Sequence, residues 1–393
     1  MTKNHSLKLT AAAAIGALAF AGSAHAQSAI TLYGVLDAGI AYVHNAQGPN
    51  GRNQSSLFKL GSGNTYGNRW GLRGKEDLGG GLATIFQLEN GFNIATGTLG
   101  QGSREFGRKA IVGLTSTSFG TVTLGRQYDP VVDVVQPLTE DAYFGGTFAT
   151  PGDLDNYDNS LRVNNSVKYI SPLFAGFQFE ALYAFGGVAG STGNGQTFSF
   201  GGVYSNGPLG LAAAYFHANG GNTLTNGLRG WSSTSDTLFN TAINSGFGSA
   251  RSIQIVRAAA QYAFGPFTTG ISYSNTQYGD DAFSAFRTTA KFNTGAAFFN
   301  YRPTAAVLVG LGYNYTSLTG PASAHYNQVN AGLDYALSKR TSLYALTGYQ
   351  RASGTTLSQT GALVPAVASI GSYGVNSGTN TQWLTTVGIR AKF

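Results

Sequence analysis

Apolar and polar residues alternate along most of this chain in short runs, and the runs are separated by Gly, Asn, Ser and Pro. Period-two alternation marks a strand with two unlike faces. The clearest run is the last. Trp383, Thr385, Val387, Ile389, Ala391 and Phe393 share one face, while Leu384, Thr386, Gly388, Arg390 and Lys392 share the other. The first face is mainly apolar and the second small or basic. That contrast suits a strand with lipid on one side and water on the other. No long amphipathic helix pattern breaks the series.

The pattern predicts sixteen strands, at 30–44, 55–75, 81–94, 105–117, 120–128, 161–170, 176–187, 196–205, 209–217, 251–264, 267–275, 285–299, 305–316, 324–337, 341–350 and 381–393. The second is unusually long, and its Gly/Ser/Asn patch at 61–68 reads as a bulge or bend. Short turns fall at 76–80, 118–119, 171–175, 205–208, 264–267, 300–304 and 337–340. Longer polar segments fall near 45–54, 95–104, 129–160, 188–195, 218–250, 276–284, 317–323 and 351–379. Seven short turns and eight long loops make fifteen connections, hence sixteen strands with both ends on the short-turn side. In hydrocarbon every backbone N–H and C=O must be paired within the protein, and strands achieve that only in a closed sheet. The expected fold is therefore all-β: a 16-stranded antiparallel transmembrane β-barrel, wide enough for an aqueous channel. Tyr33, Tyr128, Tyr169, Phe174, Phe267, Tyr301 and Phe393 lie near strand ends, where an aromatic rim is expected.

Composition supports a membrane setting. Charged residues make up 10% of the 393, well under the roughly 25% of soluble domains. Polarity comes instead from Asn, Gln, Ser, Thr and 56 glycines. Residues 1–26 read as a secretory signal peptide. Lys3 and Lys8 lead into an apolar run ending near Ala21, followed by Ala24-His25-Ala26 as a small-x-small cleavage site. The barrel would then occupy 27–393. The absence of cysteine removes disulfides, thiolate catalysis and Cys-based metal sites. The net charge of +7 is not gathered into a basic patch, which argues against nucleic acid as a partner. A β-helix would show a tight internal repeat, and the spacing here is irregular.

Candidate chemistry is electrostatic rather than catalytic. His44, His217 and His325 are far apart and fit no metal-ligand spacing, and no nucleophile or phosphate-binding motif stands in a suitable context. The chain is expected to be neither enzyme nor cofactor carrier. Arg69 and Arg73 share one strand face, opposite Trp70 and Leu72, and Arg104 shares a parity with Arg108, as Arg162 does with Lys168. A charge facing lipid at mid-depth costs about 2–4 kcal/mol. These residues should therefore face the lumen, unless they lie at headgroup level against anionic lipid. Inside, they would form a basic ladder that attracts anions without binding them tightly. The segment 129–160 is too long to be an idle loop. It carries Asp129, Asp133, Glu140, Asp141, Asp153, Asp155 and Asp158, and also Tyr143-Phe144-Gly145-Gly146. Folded inward, it would set acids opposite the arginines; the residues alone leave inward and outward open.

Several stretches are familiar in order: Thr31-Leu32-Tyr33-Gly34-Val35-Leu36-Asp37, Arg69-Trp70-Gly71-Leu72-Arg73-Gly74, Glu76-Asp77-Leu78-Gly79-Gly80-Gly81, Phe86-Gln87-Leu88-Glu89, Leu124-Gly125-Arg126-Gln127, Asn165-Ser166-Val167-Lys168-Tyr169 and Phe393. With them the chain after its leader resembles the Gram-negative general porins of the Burkholderia, Bordetella and Neisseria branch. The resemblance implies a homotrimer of barrels in the outer membrane, among its lipids and lipopolysaccharide. Each subunit would have its own pore for small polar or anionic solutes. It implies that the third long loop, here 129–160, folds into the lumen. A basic wall of Arg69, Arg73, Arg108 and Arg162, with Lys59, would face acids drawn from Asp129, Asp133, Glu140 and Asp141. Family loops often carry Pro-Glu-Phe-Gly-Gly; here the stretch is Asp141-Ala142-Tyr143-Phe144-Gly145-Gly146, with Glu140 and Asp141 as the substitutes for the missing Glu. Phe393 matches the signal by which the barrel assembly machinery recognises such chains. The expected function is passive diffusion with a weak anion preference. The alternatives are a pore selective for an anionic metabolite or sugar, and an adhesin-like barrel with a closed lumen.

Overall fold

The computed structural model describes residues 29–393 apart from 49, 50, 54, 223, 226, 227, 232, 233, 237, 238 and 240. The expected leader at 1–26 lies outside the described residues. The barrel strands are β1 (Ala29–His44), β2 in two pieces (Ser56–Ser62 and Arg69–Gly79), β3 (Leu82–Gly91), β4 (Lys109–Ser116), β5 (Gly120–Gln127), β6 (Leu161–Ile170), β7 (Phe177–Ala184), β8 (Thr197–Asn206), β9 (Leu209–Asn219), β10 (Ser252–Phe264), β11 (Phe267–Gly279), β12 (Ala290–Thr304), β13 (Val307–Thr319), β14 (Ala324–Ala336), β15 (Thr341–Leu357) and β16 (Thr381–Lys392). Each pairs antiparallel with the next, and β16 returns to β1, from Val35 opposite Lys392 to His44 opposite Trp383. The sixteen-stranded sheet is closed, so no edge is left unpaired.

Closure gives the period-two pattern its meaning. Ile40, Phe58, Ile271 and Val387 point outward and are more than half exposed, while Ala41, Phe216, Ile255 and Leu384 point inward and are buried. In β16 the apolar odd face is outward, with Leu384, Thr386 and Arg390 inward and buried. At the short-turn rim Phe264, Phe299 and Tyr301 gather around Phe267, Tyr301 stacked on it and the other two tilted. Tyr33 and Tyr128 do not belong to that rim. Tyr33 faces inward and its hydroxyl donates to Glu89 at 2.8 Å, and Tyr128 lies under three cations inside the barrel.

Two departures from the expected pattern have local causes. β2 is broken at 63–68, where the chain turns into the barrel. Asp37 of β1 holds it there by accepting from Thr65 N at 2.7 Å, Thr65 Oγ1 at 2.6 Å and Tyr66 N at 2.8 Å. The turn expected at 300–304 lies instead at 305–306, with β12 running through Pro303. The β12–β13 register shifts between Tyr301 and Thr304, so the missing N–H of Pro303 falls in an irregularity, where it costs least.

The barrel interior is unevenly filled. The largest apolar core comprises inward residues of β6 to β15 packed on loop residues that include Val131, Val134, Val135, Phe239, Ile243 and Phe247; Phe216, Ile253, Phe292, Leu318 and Tyr326 are among its members. A smaller cluster of Phe144, Phe148, Leu308, Tyr344 and Leu346 adjoins it. On the inner wall from β16 through β1 to β4 the apolar filling is a five-residue cluster, Ala41, Val43 and Leu384 with Ala46 and Ile370 from the loops, and the rest of that wall borders the main open space.

Candidate pore constriction

That open space is a cavity of about 750 Å³. Its lining includes Arg69 from β2, Arg108 from the turn before β4, Arg162 from β6 and Lys392 from β16, with Glu89, Asp141 and Asp158 as acids. The strands explain the gathering. Arg69 pairs with Val35, and Glu89 stands across from Gly71 two residues further along the inner face of β2. Glu89 binds Arg108 Nε at 2.8 Å and lies 3.9 Å from Arg69 Nε. Arg162 is held by neutral acceptors, Asn159 Oδ1 at 2.8 Å and the Ser160 carbonyl at 3.4 Å. Arg108, Lys109 and Arg162 all lie over the Tyr128 ring, with charges 5.9, 5.4 and 5.2 Å from its centroid. The negative face of one ring thus holds three like charges near each other.

Arg73 and Lys59 stand elsewhere. Arg73 is four residues along the same face from Arg69, about 13 Å towards the short-turn end. It is exposed there with Thr31, Lys75 and Gln87, over the Tyr33 ring at 5.4 Å. Lys59 lies over Tyr373 at 4.9 Å in a recess of about 110 Å³, which it shares with Asn64, Asp158 and Ser372.

The acids expected opposite the arginines divide by role. Asp141 lines the cavity. Asp129 is buried, accepts from Val131 N at 2.8 Å and Asn156 Nδ2 at 2.9 Å, and so fixes the two ends of segment 129–160 to each other. Asp133 pairs with Lys168 of β6, which also lies 3.6 Å from Glu180. Glu140 turns away from the cavity and accepts from Asn300 Nδ2 of β12 at 3.0 Å. Of the four, only Asp141 shares the cavity with Arg69, Arg108 and Arg162.

Segment 129–160 is laid along the inner wall of the filled side. Tyr143 donates to Gln261 of β10 at 2.9 Å, and Gln328 of β14 donates to the carbonyls of Thr147 and Ala149, each at 3.1 Å. Phe144 and Phe148 stack at 5.0 Å between ring centroids. Space for them comes from inward glycines: a Cβ on Gly310 or Gly332 would stand 2.2 or 2.6 Å from the Phe144 ring. The far edge of the segment is held by a second inward loop, residues 358–380. Ser372 N donates to the Gly146 carbonyl at 2.9 Å, Gly152 N donates to Gly371 at 2.9 Å, and the Ser372 hydroxyl donates to Asp158.

Burial sets the charge of these loop acids. It raises Asp141 well above the usual carboxylate range, with Asp158 beside it adding to the rise, and it raises Asp158 as well. Burial lifts Asp129 and Asp153 to about 6 and Glu140 to about 9. Asp133 is the exception: burial works against its ionised form, but the Lys168 ammonium holds it below the usual range. The cavity therefore has four cations against three acids, two of which hold protons more tightly than usual. Glu89, Tyr128, Lys392 and the loop 358–380 were not singled out as site elements from sequence, whereas Asp158 was among the acids expected opposite the arginines. The inward glycines of β13 and β14 were the available signal for a segment lying against that wall.

A closed sixteen-stranded barrel with an apolar exterior and a charged inner passage is a transmembrane channel of the outer-membrane type. The comparisons agree. A family model described as Gram-negative porin matches residues 10–355. An outer membrane porin protein of Bordetella pertussis is 32% identical over 381 residues, covering 88% of this chain and 94% of that protein. Among solved structures, the anion-selective porin from Comamonas acidovorans superposes with a TM-score of 0.70 at 24% identity, covering 93% of this chain and all of that one. A trimer form of OmpT from Vibrio cholerae superposes with a TM-score of 0.64 at 17% identity, covering 93% and 99%. The chain belongs to the Gram-negative porin family, whose members are outer-membrane channels, and it crosses that membrane with its sixteen strands.

Proposed function

We propose that this porin passes small hydrophilic solutes and ions with a preference for anions, and that segment 129–160 forms the constriction. The observation that carries this is the uneven wall of the 750 Å³ cavity, where Arg69, Arg108, Arg162 and Lys392 face acids that are fewer and partly neutralised. Arg162 adds a charge held by the neutral Asn159 and Ser160 acceptors, with Asp158 as the acid near it. Cations in a narrow, partly dehydrated passage raise the local anion concentration and lower the anion barrier without a tight site. The anion-selective porin from Comamonas acidovorans, which shares this fold, supports the same reading. Arg73 and Lys59 belong to the approach on either side rather than to the narrowest ring.

Three copies associate, each with its own passage; the trimer form of a channel with the same fold supports this. A band at three times the monomer mass on an unheated gel, collapsing to one on boiling, tests it. For selectivity the test is the zero-current potential in a planar bilayer across a KCl gradient. The expected sign is that of chloride preference, weakened in Arg162→Gln. Equal permeability to potassium and chloride in the wild-type channel would overturn the reading.

A further inference from the structure

Glu140 stands at the foot of the helical turn Asp141–Phe144, with its carboxyl turned onto Asn300 of β12. One hydrogen bond joins them, from Asn300 Nδ2 to Glu140 Oε2 at 3.0 Å. The other oxygens, Glu140 Oε1 and Asn300 Oδ1, are both buried without a hydrogen-bond partner. They converge on one point: a Cβ built on Gly310 would lie 2.6 Å from Oε1 and 2.3 Å from Oδ1. Two acceptor oxygens facing each other in an apolar wall repel. Turning the amide over does not help, because an amide presents one donor edge and one acceptor edge to the two carboxyl oxygens. A proton on Glu140 resolves the conflict. Its O–H then donates to the amide oxygen, and acid and amide close two parallel hydrogen bonds.

We propose that Glu140 is a positioning residue that holds segment 129–160 to the barrel wall as a neutral acid, its carboxyl and the Asn300 carboxamide forming a proton-dependent latch. This rests on the reading of 129–160 as the constriction. The surroundings suit a neutral group. Phe144, Phe148 and Leu308 pack together beside the latch, and β13 presents Gly310 and Gly312. On the segment itself, Tyr143 is engaged with Gln261, Asp141 faces Asp158, and Tyr157 lies under Arg257 of β10 at 4.0 Å. On β12, Arg302 is exposed two residues further along the same face. On β14, Asp334 is paired with Arg390 at 2.8 Å. Burial outweighs the Asn300 hydrogen bond and lifts Glu140 to about 9, so the latch is closed at neutral pH and opens in alkali.

The test uses single-channel recordings of the native channel and three variants at pH 7 and pH 10, with folding checked by the heat-dependent gel shift. The wild-type open level should be quiet at pH 7, with current noise rising severalfold at pH 10. Glu140→Gln keeps two amide–amide hydrogen bonds and carries no titrating group, so it should be quiet at both. Glu140→Ala should be noisy at both. An infrared band of a protonated carboxyl should be present in the wild type at pH 7 and reduced in Glu140→Gln. The latch is overturned if Glu140→Gln is as noisy as Glu140→Ala at pH 7, or if it keeps the wild-type alkaline transition. Phe144→Ala, which removes the buried ring that seats the segment, separates the two readings. A larger unit conductance in Phe144→Ala with a silent Glu140→Ala overturns the latch alone; no change in either variant overturns the constriction as well.

Discussion

The two sides of this barrel share one backbone plan and differ only in what points inward. From β16 through β1 to β4 the inner face carries Lys392, Arg69 and Glu89, which line the open space, and Asp37 and Arg390, which are buried against the turn 63–68. From β7 to β15 the inner face carries mainly Gly, Ala, Ser and aromatic residues, and the long loops fill it; its one fully buried arginine among the described residues, Arg257, lies over the Tyr157 ring of the loop. Long charged side chains keep a loop off a wall because burying them unpaired is costly. Small residues let a loop lie flat against the wall, as Gly310 and Gly332 do for Phe144. The main open space therefore lies on the charged side, along a wall whose residues the fold alone does not specify.

The largest expected effect comes from breaking the filled side. Phe144→Ala removes a fully buried ring. It should destabilise the segment by about 3–5 kcal/mol, read as a lower temperature for the heat-dependent gel shift and a larger unit conductance. An unchanged conductance would detach segment 129–160 from the constriction.

Acidity comes next. Asp129, Asp153 and Glu140 hold protons in the folded state that the opened loop releases, with values near 6, 6 and 9. Their contribution is complete below the ordinary carboxylate range and is lost as pH rises through 6 and then 9. Asp133 works the other way. Lys168 holds it low, so its share is present at neutral pH and lost only in strong acid. The transition temperature should be higher at pH 5 than at pH 8; a higher value at pH 8 contradicts these assignments.

Smaller effects sharpen the charged side. Arg108→Gln leaves Glu89 with Arg69 at 3.9 Å and the Tyr33 hydroxyl at 2.8 Å. Loss of the charged hydrogen bond should cost about 1.5–3 kcal/mol, and anion preference should fall because Glu89 is less compensated. Arg73→Gln should change the zero-current potential least. It lies in the open approach, and charges beyond about 8–10 Å are screened at moderate salt. A shift as large as that of Arg162→Gln would place the narrowest ring nearer the short-turn end.

The strands were legible because lipid on one side and water on the other enforce period two, and most lie within a few residues of their expected places; β12 is shifted by five and β15 runs on to Leu357. The break in β2 was legible at 61–68, since Gly, Ser and Asn there cannot supply a lipid face. The turn at 300–304 was misplaced because Pro303 reads as a breaker, while a strand end tolerates it in an irregular register. The lumenal placement of Arg69 and Arg162 followed from the cost of charge in lipid. The fates of Asp129, Asp133 and Glu140 were not legible. A carboxylate in a loop serves equally as a backbone acceptor, an ion-pair partner or a buried acid, and its partner decides which. For Glu140 that partner is Asn300, 160 residues away in sequence.

The most direct test of the central claim is the zero-current potential of Arg69→Gln/Arg162→Gln beside the wild type, in bilayers under the same KCl gradient. The charged-wall account predicts chloride preference in the wild type and its loss, or a turn towards potassium, in the double variant at similar unit conductance. A double variant that retains the wild-type potential would contradict it.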